Sequence, residues 1–267
     1  MNDKYVHGYS DRESTRLKDQ SVTLAELLHH DTVYPAGSTV LEAGCGIGAQ
    51  TCIIANKNPD INIVSVDISP ESLRAAEEAI SASGITNVTL KQGDIFNLPF
   101  AKDSFDHIFI CFVLEHLSEP EKALLKLKDM LKQGGTITVI EGDHGSAYYH
   151  PASEHAQRNI QCLIDIQARM GGDSLIGRRL YPLLVDVGFK NVNVSPRFVY
   201  ADASRPHMVE GFTRNTFNAM VEGVRDKALK LGLIDEEAWN KGIRDLYRTA
   251  ADDGTFCYTF FKAIATK

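Results

Sequence analysis

The chain has 267 residues, of which 43% are hydrophobic and 24% are charged, and it carries a formal net charge of −7. A chain of this length and composition can bury the core of one large α/β domain with an added subdomain. The net negative charge argues against a protein that binds nucleic acid through an overall positive electrostatic field, so we expect no nucleic-acid partner.

The N-terminal region, residues 1–36, begins without the apolar segment of a secretion signal. No later stretch reaches the roughly 18 apolar residues of a membrane span, so we expect a cytoplasmic protein with no membrane partner. Leucines at helical spacing predict an amphipathic helix that starts at Ser10 or Asp11 and stops before Pro35. The five cysteines form no C-x-x-C pair, so we expect neither disulfides nor a zinc site.

A glycine-rich turn follows the first predicted strand. The apolar residues 40–41 fit a parallel strand buried on both faces, and Gly44, Gly46 and Gly48 remove side chains where a backbone must approach a ligand. Gly44, Gly46 and Ala49 also fit the G-x-G-x-x-G/A fingerprint of dinucleotide-binding proteins, which leaves an NAD-dependent oxidoreductase open. Glu42, at the carboxyl end of the strand, favours a cofactor with an adenosine and a cationic amino-acid end, because a carboxylate accepts hydrogen bonds.

The arrangement E-x-G-x-G-x-G over residues 42–48 resembles the first motif of class I S-adenosylmethionine-dependent methyltransferases of the small-molecule type. The resemblance implies a Rossmann-like fold, S-adenosylmethionine (SAM) as the cofactor and S-adenosylhomocysteine (SAH) as its product. It also implies that the segment beginning Gly8-Tyr9-Ser10 is a lid over the cofactor. Tyr9 suits this role because an aromatic ring can lie against a sulfonium or ammonium cation. A helix that merely covers the sheet is the alternative interpretation of this segment.

A second buried strand, residues 61–67, ends at Asp67. An acidic residue about 20 positions beyond the glycines is placed to accept both hydroxyls of a ribose, which suits NAD and SAM alike. Ser69 and Pro70 then predict the start of a helix, as a capping residue followed by proline at the first helical position.

A third strand, residues 88–92, precedes Asp94. The resemblance implies that Asp94 meets the adenine amino group and that Ile68 and Ile95 enclose the adenine ring. Without the resemblance, a lone aspartate after a strand is usually a turn or cap residue.

A fourth strand, residues 105–112, leads to the next part of the expected site. The resemblance implies that Cys111 and Phe112 border the methyl donor. His116 follows at the start of a helical stretch. Its unperturbed pKa near neutrality suits an acid or base beside the donor, and the alternative is a histidine that packs at the helix entrance.

The alternation continues with a helix over residues 121–131, a break at Gly134-Gly135 and a fifth strand over residues 136–141. Five strands interleaved with helices predict a parallel, doubly wound α/β sheet. Residues 185–203 supply a sixth strand and residues 254–267 a last one. The resemblance implies that the last strand runs antiparallel between the fifth and the sixth, which makes a seven-stranded, mostly parallel sheet.

The cofactor-binding core is predicted to be residues 37–142. Two segments, residues 143–184 and 204–253, exceed a minimal version of this fold, and we expect them to form a helical cap that shapes the substrate site. The first segment contains His144 and Tyr148, which are candidates for a hydrogen-bonding or general-base role. No spacing of its histidines and acidic residues matches a metal-ligand pattern, so we predict no metal.

Together with these residues, the resemblance implies an enzyme that transfers a methyl group from SAM to a small organic acceptor. The transfer is an in-line displacement at a sulfonium, so the protein mainly positions donor and nucleophile about 3 Å apart and excludes water. A hydroxyl or protonated amine also needs a base, for which the candidates are His116, Glu115, His144 and Tyr148. A non-catalytic SAM-binding module and a homodimer stay open. An oxidoreductase would need a catalytic pair such as Tyr-x-x-x-Lys, which we do not expect here.

Overall fold

A computed structural model of the chain describes residues 11–267, with side chains described for all of these except 11–14 and 18. Tyr9, the predicted lid residue, and Ser10, one of the two predicted helix starts, lie outside the described residues. The described chain divides into two compact units. The core unit comprises residues 25–141, 176–196 and 261–267, and the second unit comprises the described residues up to 24 together with 142–175 and 197–260.

Helices and strands alternate along the chain. The strands are β1 (Thr39–Ala43), β2 (Asn62–Asp67), β3 (Val88–Gln92), β4 (Phe105–Cys111), β5 (Leu131–Gly142), β6 (Tyr148–His150), β7 (Lys190–Ala201) and β8 (Thr255–Thr266). The α-helices are α1 (Asp11–His29), α2 (Ala49–Lys57), α3 (Pro70–Ala82), α4 (Pro120–Met130), α5 (Glu154–Arg169), α6 (Leu180–Asp186), α7 (Pro206–Met208), α8 (Ala219–Glu222), α9 (Arg225–Lys230) and α10 (Glu236–Arg248). Short 3-10 helices cover Leu114–His116, His144–Ser146 and Ile176–Arg179, and a π-helix covers Val209–Asn218.

The sheet of the core unit has the doubly wound order β3-β2-β1-β4-β5-β8, with β7 paired to β8. The pairings among β1 to β5 are parallel. The backbone N–H of Lys267 donates to Gly135 O at 3.0 Å, so the end of β8 lies beside the beginning of β5, as an antiparallel pair requires. The α/β fold and the place of the last strand between the fifth and the sixth are therefore confirmed.

One strand exceeds the predicted seven. In the second unit β6 pairs antiparallel with the first part of β8, with Tyr148 opposite Cys257 and His150 opposite Thr255. Three residues are too few to show the alternation of apolar and polar positions that identifies a strand. For this reason the sequence did not reveal this strand, which lies within the predicted helical insertion, residues 143–184.

Strand β5 begins at Leu131, five residues before its predicted start, and runs through the glycine pair that predicted a break. Its register against β4 shifts between Phe105 and His107. Gly134 has a φ of +75°, and a side chain at Gly135 would lie 2.6 Å from the carbonyl oxygen of Asp106. The two glycines thus form an irregularity within the strand, as in a β-bulge, and do not end it.

Side chains hold the helix ends that lie near the glycine-rich turn. Ser69 Oγ accepts a hydrogen bond from Ser72 N at 3.1 Å and Pro70 follows it, so the predicted start of α3 is confirmed. His29, the last residue of α1, places its Nε2 2.7 Å from Gln50 Oε1 in the first turn of α2. Burial lowers the pKa of His29 to about 4, so this contact joins a neutral ring to the amide near pH 7.

Within residues 11–267, no helix combines the length with the apolar character that a membrane-spanning segment needs. All five cysteines are free thiols. In the same part of the chain, no group of three histidine, cysteine, aspartate or glutamate residues is arranged to hold a metal ion.

Candidate cofactor site

Three acidic residues lie at one edge of the core unit's sheet. Glu42 lies on β1, where it pairs with Ser65 of β2. Asp67 ends β2 and pairs with Gln92, the last residue of β3, and Asp94 follows Gln92 by two residues. Neighbouring parallel strands are about 4.8 Å apart, so the carboxyl ends of β1, β2 and β3 bring these residues to the same edge. This is the edge at which open α/β sheets bind ligands.

The three glycines of the turn serve different purposes. Gly44, Gly46 and Gly48 all have a positive φ, of +83°, +51° and +77° respectively. A side chain at Gly44 would lie 2.5 Å from Val113 Cγ2, and one at Gly48 would lie 3.0 Å from Ala76 Cβ. A side chain at Gly46 would meet nothing within 4 Å. Gly44 and Gly48 therefore permit close packing, whereas Gly46 leaves an open approach to the backbone on which a ligand can lie.

Asp67 braces the glycine-rich turn from the neighbouring strand. Its Oδ2 accepts a hydrogen bond from Gly46 N at 2.8 Å, and its Oδ1 accepts one from Ser69 N at 2.9 Å. Each carboxylate oxygen has two lone pairs, so each retains an acceptor position for a ligand. The same half-buried carboxylate can therefore fix the turn and bind a hydroxyl pair beside it.

Glu42 is buried in a polar pocket of its own. Its Oε2 accepts hydrogen bonds from Thr51 Oγ1 at 2.7 Å and from Ser65 Oγ at 2.6 Å. Burial nevertheless raises the pKa of Glu42 to about 6, since the two hydroxyls offset the loss of water only in part. Both hydroxyls reach one oxygen, which leaves Oε1 as the acceptor for a cationic ligand group.

We expect Glu42→Gln to change stability in a pH-dependent way. The raised pKa means that the folded protein holds a proton between about pH 4.5 and 6 that the unfolded chain has released, so the free energy of unfolding falls as pH rises across this range. Glutamine does not titrate, so this fall in the free energy of unfolding is absent from the variant. The stability of the variant relative to wild type should therefore be about 1.5 kcal/mol more favourable at pH 7.5 than at pH 4.5, as measured by urea unfolding.

The control for this prediction is Glu78→Gln, because Glu78 is an exposed glutamate on α3. Its effect on the free energy of unfolding should be the same at both pH values. If Glu42→Gln also behaved identically at pH 4.5 and 7.5, the buried carboxylate would not titrate as described.

The predicted adenine-binding residues follow the neighbouring strand ends. Ile68 is 47% exposed although it is large and apolar. Asp94 is exposed and its Oδ1 accepts a hydrogen bond from Phe96 N at 3.0 Å. Ile95 is partly buried against the core, and the backbone of Gly93 is tied to Asp67 O at 3.0 Å. An exposed isoleucine beside a carboxylate matches the chemistry of a flat apolar ring that carries an amino group.

Strand β4 ends at Cys111, one residue earlier than predicted, and Phe112 adopts a φ of +58°. The thiol of Cys111 is buried, and this burial raises its pKa well above the usual value, so it stays protonated. His116, at the end of the 3-10 helix that follows, lies with Nε2 3.6 Å from Glu115 Oε1. The core unit, which includes residues 25–141, contains Cys111, Phe112 and His116 as well as the three acidic residues.

The other two predicted catalytic residues belong to the second unit. His144 is 4% exposed, with Nδ1 2.8 Å from the hydroxyl of Tyr258 and its ring edge-on to Phe217. Tyr148 on β6 is 69% exposed. A catalytic role for His144 or Tyr148 stays a prediction.

The expectation that no Tyr-x-x-x-Lys pair is present was wrong, because Tyr258 and Lys262 have this spacing. Both lie on strand β8, where four residues separate side chains by roughly 13 Å. Lys262 is buried and its Nζ pairs with Asp31 Oδ1 at 2.6 Å and donates to Thr32 Oγ1 at 2.6 Å. The spacing therefore does not form a catalytic pair of the oxidoreductase kind.

Glu141 is a residue of this edge that sequence reasoning missed. It lies at the carboxyl end of β5, and its Oε1 accepts hydrogen bonds from the backbone of Val113 at 3.0 Å and of Leu114 at 2.8 Å. The signal was an acidic residue near the end of a buried strand, the position that also singled out Glu42. Its partners are 27 and 28 residues distant in the chain, so only the fold reveals them.

Comparison with known proteins places these features in a family. A family model described as a methyltransferase domain matches residues 35–188, more than half of the chain. Ajmaline N-methyltransferase from Rauvolfia serpentina is 30% identical over 130 residues, which cover 48% of this chain and 44% of the relative. The chain spans about half the length of the curated relatives that it matches.

Solved structures share the fold at low sequence identity. Phosphoethanolamine N-methyltransferase 2 from Haemonchus contortus, in complex with phosphomonomethylethanolamine and SAH, is 19% identical with a TM-score of 0.57, covering 92% of this chain and 52% of that one. The [4+2]-cyclase SpnF is 20% identical with a TM-score of 0.56, covering 94% and 81% respectively. These likenesses establish the fold, and a fold of this kind supports more than one chemistry.

Proposed function

This chain belongs to the methyltransferase-domain family, and from that premise we propose that it transfers a methyl group from SAM to a small organic acceptor and releases SAH. The observation that carries the proposal is the arrangement around Gly46. Its open side lies at the edge where Asp67 braces the turn and where the buried Glu42 supplies a further acceptor. A nucleoside with a cationic amino-acid end matches this set of acceptors.

We propose the following contacts with the cofactor. Asp67 accepts the ribose hydroxyls, Asp94 accepts the adenine amino group, and Glu42 accepts the ammonium group of the methionine end. The adenine ring lies between Ile68 and Ile95. Gly44, Gly46 and Gly48 shape the turn, Cys111 and Phe112 border the methyl group, and Tyr9 is retained as the predicted lid residue.

The acceptor in this proposal is the nitrogen of a small amine. It is supported by the relative named above, which is an N-methyltransferase by name. The net charge of −7 also suits a small cationic amine better than nucleic acid. The homodimer, the cytoplasmic location and the assignment of residues 143–184 and 204–253 to a substrate-selecting cap stay predictions.

The chain has little covalent chemistry to perform in such a transfer. The cofactor supplies an activated methyl group, and the protein holds donor and acceptor in line and keeps water out. A protonated amine must lose a proton before it can attack, and His116, beside Glu115 in the core unit, is the first candidate for the base. His144 and Tyr148 are the further candidates.

The test is turnover with SAM that carries an isotopic label in its methyl group and a panel of small primary, secondary and tertiary amines. The expected result is labelled product and SAH in equal amounts for at least one amine. Binding of SAM without label transfer to any amine, alcohol or carboxylic acid in the panel would favour a SAM-binding module or a different reaction on the same fold.

A further inference from the structure

We propose that Glu141 is a positioning residue of the methyl-transfer site. Its carboxyl group holds the turn that follows β4 and thereby orients Phe112 at the edge where the methyl donor is expected. This inference rests on the proposed function, since Phe112 borders the donor only if SAM binds at this edge.

Consecutive backbone amides converge on the Glu141 side chain. Oε1 accepts from Val113 N at 3.0 Å and from Leu114 N at 2.8 Å. Successive N–H groups that point at one acceptor form a concave anion-binding turn. The 3-10 helix Leu114–His116 has no capping side chain of its own at Val113. Glu141 therefore takes the place of a helix cap and does so from the neighbouring strand.

The residue between these contacts has an unfavourable backbone. Phe112 has a φ of +58°, in the left-handed region that residues other than glycine rarely adopt. Its N–H donates to Ile140 O at 2.9 Å, and the next amide, that of Val113, donates to Glu141. Two consecutive residues of β5 thus fix both sides of Phe112. Such a conformation persists only when the surroundings determine it, and it concentrates at functional sites.

The role of the Glu141 carboxyl group depends on the position of its acceptor oxygen, which the length of the side chain sets, and not on a negative charge. The side chain is 0% exposed. Burial, followed by the neighbouring Glu115, raises the pKa of Glu141 well above its usual value. Its second oxygen, Oε2, has no hydrogen-bond partner among the described residues. A neutral side chain of the same length can therefore still accept the backbone hydrogen bonds.

Two substitutions separate the effect of side-chain length from the effect of charge. Glu141→Gln keeps the length and an acceptor oxygen, whereas Glu141→Asp keeps the carboxyl group but withdraws it by one methylene. We expect SAH affinity, measured by calorimetry, to stay within threefold of wild type for Glu141→Gln and to fall at least tenfold for Glu141→Asp. Hydrogen exchange at the amides of Val113 and Leu114 should accelerate at least tenfold in Glu141→Asp only.

The control is Thr138→Val, a buried residue of the same strand, which should alter neither SAH affinity nor exchange at Val113 and Leu114. If Glu141→Asp does not fold, the glutamine variant decides, because a loss of SAH affinity greater than tenfold in a folded Glu141→Gln overturns the proposal. Wild-type SAH affinity in Glu141→Asp overturns it as well, while the proposed function stands. Failure of the wild-type protein to bind SAH overturns the proposed function and this inference together.

Discussion

Replacing Asp67 with alanine should weaken SAH binding by roughly 30- to 150-fold, or about 2 to 3 kcal/mol. The substitution removes the carboxylate that we propose as the acceptor for the ribose hydroxyls, and we set the expected loss near that of one hydrogen bond to a charged group, about 1.5 to 3 kcal/mol. The substitution also releases Gly46 N and Ser69 N, which Asp67 now holds at 2.8 and 2.9 Å. Isothermal titration calorimetry with SAH measures the effect.

The matched control for Asp67 lies at the other end of the same strand. Asp60 is an exposed aspartate just before β2, far from its carboxyl end. Asp60→Ala should leave SAH affinity unchanged. The SAH affinity of Asp67→Asn should lie between those of the wild type and Asp67→Ala, because asparagine retains one acceptor oxygen. An Asp67→Ala variant with wild-type affinity would remove this residue from the site.

Gly44→Ala should destabilise the protein by about 2 to 5 kcal/mol and weaken SAH binding more than about tenfold. The φ of +83° disfavours any residue with a Cβ by about 1 to 2 kcal/mol. The added methyl group would also lie 2.5 Å from Val113 Cγ2, and overpacking costs about 1 to 3 kcal/mol. Urea unfolding measures the first effect and calorimetry the second.

A double substitution separates the two causes of this loss. Val113→Ala removes the methyl groups that the new side chain would meet, so Gly44→Ala should cost about 1 to 2 kcal/mol less in the Val113→Ala background than in wild type. Gly46→Ala, which meets nothing within 4 Å, should show only the backbone cost. Strictly additive effects of Gly44→Ala and Val113→Ala would contradict the predicted clash.

Local patterns made most of the fold predictable. The run of strands and helices follows from apolar periodicity, and the start of α3 follows from Ser69 and Pro70, which act on their own helix. The course of β5 through Gly134-Gly135 was not predictable, because it depends on a register shift against β4. Strand β6 was missed because it has three residues and exists only through its pairing with β8.

The sequence singles out candidate residues for the site but not the contacts that they make. Glu42 and Asp67 stand out because acidic residues rarely end buried strands without a purpose. Their partners could not be read from the sequence, since Ser65 and Thr51 reach Glu42, and Gly46 reaches Asp67, only after the strands are paired. Glu141 was missed for the same reason, because its carboxyl group caps the turn that follows β4 and the sequence around Glu141 carries no sign of this contact.

Titration of the purified wild-type chain with SAM, SAH and NAD by isothermal calorimetry tests the central claim most directly. We expect micromolar binding of SAM and SAH at one site per chain and no heat of binding for NAD. Tight binding of NAD with no response to SAM or SAH would contradict it, and would mean that the turn around Gly46 serves a dinucleotide.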